Sequence, residues 1–137
     1  TDSGSVLVWE RFSFSTPFSD VSPVKLVDPS GSDYDFFGYG GPAMSASSLF
    51  LAVASNRDDD SGGDSGSVLV SERANTTTSF SAISPIKLLD LNGSANDFLG
   101  FGGLSLSANA LTLVTTSPYD DDQGNDSGSV IVWELPN

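Results

Sequence analysis

The chain has 137 residues, with 5 Lys and Arg against 18 Asp and Glu, and it contains neither Cys nor His. A net charge of -13 excludes binding to nucleic-acid backbones and anionic membrane surfaces, and no apolar run approaches the roughly 20 residues of a membrane-spanning helix. The absence of Cys and His excludes disulfides, thiolate nucleophiles, Cys-ligated metal centres and the commonest general base.

A repeat of 62 residues organises almost the whole chain. The segment Asp-Ser-Gly-Ser-Val begins at Asp2, Asp64 and Asp126, and 33 of the 62 residue pairs between 2–63 and 64–125 are identical without a gap. We therefore divide the chain into repeat 1 (2–63), repeat 2 (64–125) and the first strand of a third repeat (126–137). Such a period is typical of solenoids, propellers and arrays, whose units bury apolar surface against their neighbours.

Short apolar runs bounded by Gly, Ser, Asp and Pro predict strands along the chain, and no segment carries helical periodicity. The predicted strands of repeat 1 are, in chain order, Ser5–Trp9, Val21–Val27, Phe36–Met44 and Leu49–Ala54. Those of repeat 2 and the third repeat are Ser67–Ser71, Ile83–Leu89, Phe98–Leu106, Leu111–Thr116 and Ser129–Trp133. The predicted class is therefore all-β.

The strands of one repeat differ in character. Ser67–Ser71 is apolar on both faces and needs cover on both sides, whereas Ile83–Leu89 carries the Pro and Lys of an exposed sheet edge. Phe98–Leu106 is rich in Gly, which indicates close backbone approach or a bulge. These features predict β-propeller blades, four-stranded antiparallel sheets in tandem, with about two blades and one extra strand in the chain.

Asp35–Gly38 and Asp97–Gly100 resemble the Asp-x-Phe-Gly opening of FG-GAP repeats. In that family a short apolar strand, an acidic loop and a Gly-Ser-Val-x-Val strand follow, and the chain supplies this order twice within residues 2–134. The resemblance implies an integrin-alpha-like β-propeller in an extracellular or cell-surface setting. It does not imply the integrin calcium loop, because Ser45–Ser48 and Ser107–Ala110 contain no acid. The Gly-Ala-Pro of the family name is also replaced, by Val53–Ser55 and Thr115–Ser117.

Each repeat contains one strongly acidic loop. Alternating carboxylates beside a flexible Gly suit Ca²⁺, which takes six to eight hard oxygen ligands. The candidate calcium ligands are Asp58, Asp60, Asp64, Asp120, Asp122 and Asp126. The alternative is a solvated loop whose acids keep the protein soluble. The sequence leaves both interpretations open, and it predicts no cofactor other than Ca²⁺.

Three Asn-x-Ser/Thr sequons lie in predicted loops or at strand ends, at Asn75, Asn92 and Asn125. They are candidate glycosylation sites in a secreted protein. A glycan on Asn125 would crowd the second acidic loop, because Asp126 follows it directly.

We predict no catalytic site. The acids recur in clustered loops beside Gly and Ser, where a structural role repeated in each unit fits better than one active site. Gly38–Gly41 and Gly100–Gly103 are not phosphate loops, because no helical pattern follows them.

The predicted function is that of a non-enzymatic, extracellular structural or adhesive repeat protein. It would self-assemble into a ring, array or head-to-tail filament through blade packing and terminal strand pairing. Its partners would be further copies of itself or neighbouring repeats of a longer chain. The alternative is a carbohydrate-binding, lectin-like propeller module with glycans as ligands.

Overall fold

The computed structural model describes residues 1–134, which form three antiparallel sheets. The N-terminal sheet pairs β1 (Val6–Val8) with β2 (Val24–Leu26). The central sheet has the order β3 (Ala43–Met44), β4 (Phe50–Ser55), β5 (Ser67–Glu72) and β6 (Ile86–Leu88). The C-terminal sheet has the order β7 (Leu104–Leu106), β8 (Thr112–Ser117) and β9 (Ser129–Glu134). The predicted all-β class with antiparallel sheets is confirmed.

The central sheet is covered on both faces, as the apolar character of its strands predicts. Side chains alternate between the faces of a strand, so neighbouring residues of β4 and β5 join different cores. The core against the N-terminal sheet comprises Val6, Phe37, Leu51, Val53, Leu69 and Phe80. The core against the C-terminal sheet comprises Ala52, Ala54, Val68, Leu99 and Leu113. The three sheets therefore stack face to face.

At the glycine of the repeated Asp-Ser-Gly-Ser-Val segment, the backbone leading into one sheet touches the backbone leading into the next sheet. Gly66 bridges Leu99 in parallel, as Gly4 bridges Phe37. A Cβ on Gly66 would lie 2.4 Å from the Leu99 carbonyl oxygen, and the φ of Gly66 is +83°. Only Gly permits both the close approach and this backbone conformation. The repeated segment is therefore a structural joint between one sheet and the next.

The predicted strand over Phe36–Met44 was wrong for most of its length, since only Ala43–Met44 is strand. Phe36 and Gly38 have φ values of +55° and +90°, which strands do not allow. The segment turns instead, with the Tyr39 N–H donating to the Phe36 carbonyl at 3.0 Å. The equivalent prediction over Phe98–Leu106 is corrected in the same way to Leu104–Leu106.

Helical structure in residues 1–134 is limited to two short 3-10 helices, Phe18–Asp20 and Phe80–Ala82. The N-cap of the second helix is Ser79, whose side chain accepts a hydrogen bond from the Ser81 N–H. It places Phe80, 1% exposed, in the core against the N-terminal sheet. None of the helices in this part of the chain is long and apolar enough to cross a membrane.

A buried ion pair ties the N-terminal segment to the central sheet. Arg73 Nη1 lies 2.6 Å from Glu10 Oε1, and the two side chains are only 7% and 8% exposed. Glu10 also accepts hydrogen bonds from the Ser79 hydroxyl and the Phe80 N–H. The Arg73 guanidinium lies over the Phe80 ring, 4.3 Å from its centroid. The carboxylate therefore neutralises a charge that packing keeps out of water.

Glu10→Ala should lower the free energy of unfolding by about 3–5 kcal/mol, because it leaves the Arg73 guanidinium buried without its counter-ion. Urea denaturation measures the effect. Glu72→Ala is the matched control, since Glu72 holds the same position in repeat 2 and is exposed. Equal losses in the two variants would contradict a stabilising role for the ion pair.

Candidate functional site

A lysine held by three carboxylates lies where the N-terminal and central sheets meet. The Nζ of Lys87, the middle residue of β6, is 2.5 Å from Asp58 Oδ2, 2.8 Å from Asp60 Oδ2 and 3.0 Å from Asp28 Oδ2. Asp35 lies beside them, with one oxygen of each of Asp28, Asp35 and Asp58 within 4.8 Å of one another. We call Asp28, Asp35, Asp58, Asp60 and Lys87 the lysine cluster.

Local turn chemistry fixes the acids of the lysine cluster. Asp28 follows β2 closely, and its Oδ1 accepts the Ser30 N–H at 2.8 Å. Asp58 opens the loop between β4 and β5, and its Oδ1 accepts the Asp60 N–H at 2.9 Å. Both contacts are Asx turns, which leave the second carboxylate oxygen free to face the lysine. The cluster is therefore assembled from two sheets and the connection between them.

The electrostatics favour a bound cation at this position. Burial raises the pKa of Asp35, which is 3% exposed, and the nearby charges of Asp58 and Asp28 raise it further, against the hydrogen bond from the Ser32 N–H. Burial acts to lower the pKa of Lys87, but hydrogen bonds to Asp58, Asp60 and Asp28 outweigh burial and raise that pKa well above its ordinary value. Lys87 is therefore a permanent cation at neutral pH, and it offsets the mutual repulsion of the acids.

The structure brings together only part of the predicted calcium set. Asp58 and Asp60 share Lys87 Nζ. Asp64 is held through its backbone, with its N–H donating to Asp59 Oδ1 at 2.7 Å. Sequence reasoning missed Asp28, Asp35 and Lys87. The signal was present, because all three recur at the 62-residue spacing, as Asp90, Asp97 and Lys25.

The second repeat reproduces the turn of Asp58 and its contact with a serine hydroxyl, without a lysine ion pair among the described residues. Asp120 Oδ1 accepts the Asp122 N–H at 2.8 Å, and its Oδ2 accepts the Ser129 hydroxyl at 2.5 Å. The charge of Asp120, then burial, then the charges of Asp90 and Asp97 raise the pKa of Asp122. Within residues 1–134, no Lys or Arg forms an ion pair with any of these four acids. We call Asp90, Asp97, Asp120 and Asp122 the open acidic cluster.

Asp126, the last predicted calcium ligand, repeats the behaviour of Asp64. Its backbone N–H donates to Asp121 Oδ1 at 2.7 Å, and its Oδ2 accepts from Asn125 Nδ2 at 3.1 Å. The side chain thus faces the neighbouring sequon rather than Asp120.

The three sequon asparagines, Asn75, Asn92 and Asn125, are exposed. Asn75 Oδ1 accepts hydrogen bonds from the backbone and hydroxyl groups of Thr77 and Thr78. Its Nδ2, where a glycan would be attached, is not used in those contacts. Glycosylation stays a prediction at all three positions.

A row of aromatic rings runs across the turns that precede β3 and β7. Tyr39 and Phe101 are 5.7 Å apart between centroids, and Phe98 and Tyr119 are 5.4 Å apart. The Arg57 guanidinium lies within 5.3 Å and 5.5 Å of the centroids of Phe36 and Phe98. Tyr39 is 63% exposed and Tyr119 is 43% exposed, so the row faces solvent. We call Phe36, Tyr39, Phe98, Phe101 and Tyr119 the aromatic row.

Comparison with known proteins returned no match: no family model, no curated protein and no solved structure resembles the chain at a significant level. The function must therefore be argued from the chain itself.

Lys87→Gln should convert the lysine cluster into a calcium site. It removes the ammonium from Asp28 and Asp58, whose carboxylate oxygens lie within 4.8 Å of each other and of an Asp35 oxygen. Calcium at about 100 times its dissociation constant would then stabilise the variant by about 2.7 kcal/mol. Thermal unfolding with and without calcium measures this.

Lys25→Gln is the control, because it changes the net charge equally at an exposed lysine that has no ion pair in the described chain. If calcium shifts the melting temperatures of the two variants equally, the lysine cluster is not a latent cation site.

Proposed function

We propose that the protein is a non-enzymatic structural or adhesive repeat protein whose sheets are blades of an FG-GAP-like β-propeller. In this proposal it acts outside the cell or at its surface and assembles end to end with further blades. Those blades come from other copies of the chain or from neighbouring repeats of a longer one. The resemblance in the repeated segments and the consecutive order of the strands in the central sheet support the propeller.

The observation that carries the proposal is the contrast between the central sheet and its two neighbours. Val68 in β5 is fully buried, whereas Val130, its equivalent in β9, is 62% exposed. Leu69 is 3% exposed, whereas Leu7, its equivalent in β1, is 48% exposed. The same side chains are therefore core where a neighbouring sheet covers them and surface where none does. Apolar faces of this kind mark association sites.

Calcium belongs to the proposal as a ligand of the acidic loops, because they offer hard carboxylate oxygens. It would act by stiffening the loop between β8 and β9, whereas Lys87 already supplies the cation for the loop between β4 and β5. The sheet packing described above does not depend on it.

One observation favours the alternative of carbohydrate binding. The aromatic row is exposed and repeated, and rings of this kind can stack on the apolar faces of sugars while Arg57 contributes hydrogen bonds. Glycan-array binding that is lost in Tyr39→Ala, with the oligomeric state unchanged, would favour this alternative over the structural role.

The native chain should self-associate in a concentration-dependent way. Light scattering should report masses above the 14.2 kDa of one chain, because burial of the exposed faces of β1 and β9 favours contact between copies. A discrete multiple would indicate a closed ring, and a broad, very large mass would indicate a filament. A mass of 14.2 kDa at all concentrations would contradict self-association.

A further inference from the structure

The four-stranded central sheet shows how the lysine of its fourth strand is positioned. In the β5–β6 ladder Leu69 lies opposite Lys87, with Val68 opposite Leu88 and Val70 opposite Ile86. This register places Lys87 Nζ against Asp28, Asp58 and Asp60. The lysine on the fourth strand of the sheet thus pairs with one acid that precedes the sheet, Asp28. It also pairs with two acids of the loop between the second and third strands, Asp58 and Asp60.

The C-terminal sheet has the acids and lacks that strand among the described residues. Its order ends at β9, so the edge that corresponds to the β6 side of β5 is unpaired. Two members of the open acidic cluster, Asp120 and Asp122, lie in the loop between β8 and β9, and the cluster has no ion pair within residues 1–134. An unpaired edge offers a row of backbone donors and acceptors to another strand.

The N-terminal sheet has the lysine and lacks the acids. Lys25 on β2 lies opposite Leu7 of β1, in the same register as Lys87 opposite Leu69. Lys25 is exposed and has no carboxylate partner in residues 1–134. Beside β1 lies an open pocket of about 460 Å³, lined mainly by apolar side chains that include Leu7, Trp9 and Leu51.

The strands β1 and β9 are interchangeable by sequence. Residues 2–10 and 126–134 differ at one position, Leu7 against Ile131. In β9, Ile131 lies opposite Thr115 and Trp133 lies opposite Leu113 of β8. Leu7 and Trp9 of another copy can make the same pairs, since they carry equivalent side chains at equivalent positions.

We propose that two copies of the chain join by strand exchange, and this inference rests on the self-association proposed above. The β1–β2 pair of one copy replaces β9 of the other on β8. The composite sheet then has the order β7, β8, β1, β2 and is a four-stranded sheet like the central one. Lys25 of the incoming copy takes the position of Lys87 and enters the open acidic cluster.

The exchange replaces the β8–β9 ladder with an equivalent β8–β1 ladder and adds an ion pair. The incoming β1 keeps its ladder with β2. The face of β1 that carries Val6 and Val8 stays packed against the central sheet of its own copy. The displaced β9 is replaced by nearly the same residues. The gains are an ion pair for an exposed lysine and a counter-ion for the acids of the open acidic cluster. Burial of Leu7 and Trp9, which are 48% and 46% exposed, replaces that of Ile131 and Trp133 in the same core. The charges of the β1–β2 pair of a second copy therefore fit it as the occupant.

The test is a charge swap followed by light scattering. Lys25→Glu and Asp122→Lys should each reduce the assembled mass toward the 14.2 kDa of one chain, because each places like charges in the joint or removes an acid from it. An equimolar mixture should assemble again, since the glutamate introduced in the first variant then meets the lysine introduced in the second. Circular dichroism confirms that both variants fold, which is expected at two exposed positions.

A cysteine pair tests the register, since the chain has no native Cys. Leu7→Cys mixed with Thr115→Cys should form an intermolecular disulfide, because directly opposed strand residues have Cβ atoms about 5 Å apart. Ser5→Cys mixed with Thr115→Cys is the control, displaced by two residues along the same face, and should cross-link much less.

The outcomes separate the joint from the function. If the wild-type chain assembles and Lys25→Glu assembles equally well, the strand-exchange joint is overturned while self-association stands. A wild-type chain that is monomeric at every concentration overturns both. Equal cross-linking of the two cysteine pairs contradicts the register.

Discussion

The fold depends on a requirement that each sheet be covered on both faces. The strands β4 and β5 carry apolar side chains in both directions, so a single sheet cannot remove them from water. Burying each such side chain contributes about 1.5–3 kcal/mol, which a lone sheet would forgo on its uncovered face. The central sheet meets the requirement with a neighbour on each side. The outer sheets meet it on one face only, and their exposed valines and leucines are the result.

The charges of the chain follow the same pattern as its apolar faces. An excess of acid gives the net charge of -13, yet two of the buried acids, Asp28 and Asp58, lie against a specific cation. That cation is Lys87, which lies where the N-terminal and central sheets meet. It therefore links the packing of these two sheets to the neutralisation of their acids. The open acidic cluster has no lysine ion pair within residues 1–134, and Lys25 has no carboxylate partner there. The association of copies that we propose would cover the exposed faces and pair Lys25 with acids.

Much of the architecture could be predicted from the repeat and from the character of its strands. The apolar residues on both faces of Ser67–Ser71 predicted a doubly covered sheet, and the Pro and Lys of Ile83–Leu89 predicted an edge strand. The turn at Phe36–Gly41 could not be predicted, because a positive φ at Phe36 has no marker in residue type. The lysine cluster was missed for another reason: Asp28, Asp58 and Lys87 are distant in sequence and meet only when two sheets stack. Spacing alone also does not show that the loop holds Asp64 through its backbone N–H, whereas Asp58 and Asp60 face the lysine.

The most direct test of the two-face requirement is hydrogen–deuterium exchange of the native chain, resolved by strand. In dilute solution, where copies are separate, the amides of β5 should exchange most slowly, and those of the equivalent strand β9 should exchange much faster. At concentrations that favour assembly, the joint should become more protected. Equal protection of β5 and β9 in dilute solution would contradict the requirement, because a strand covered on one face would then be as stable as a strand covered on both.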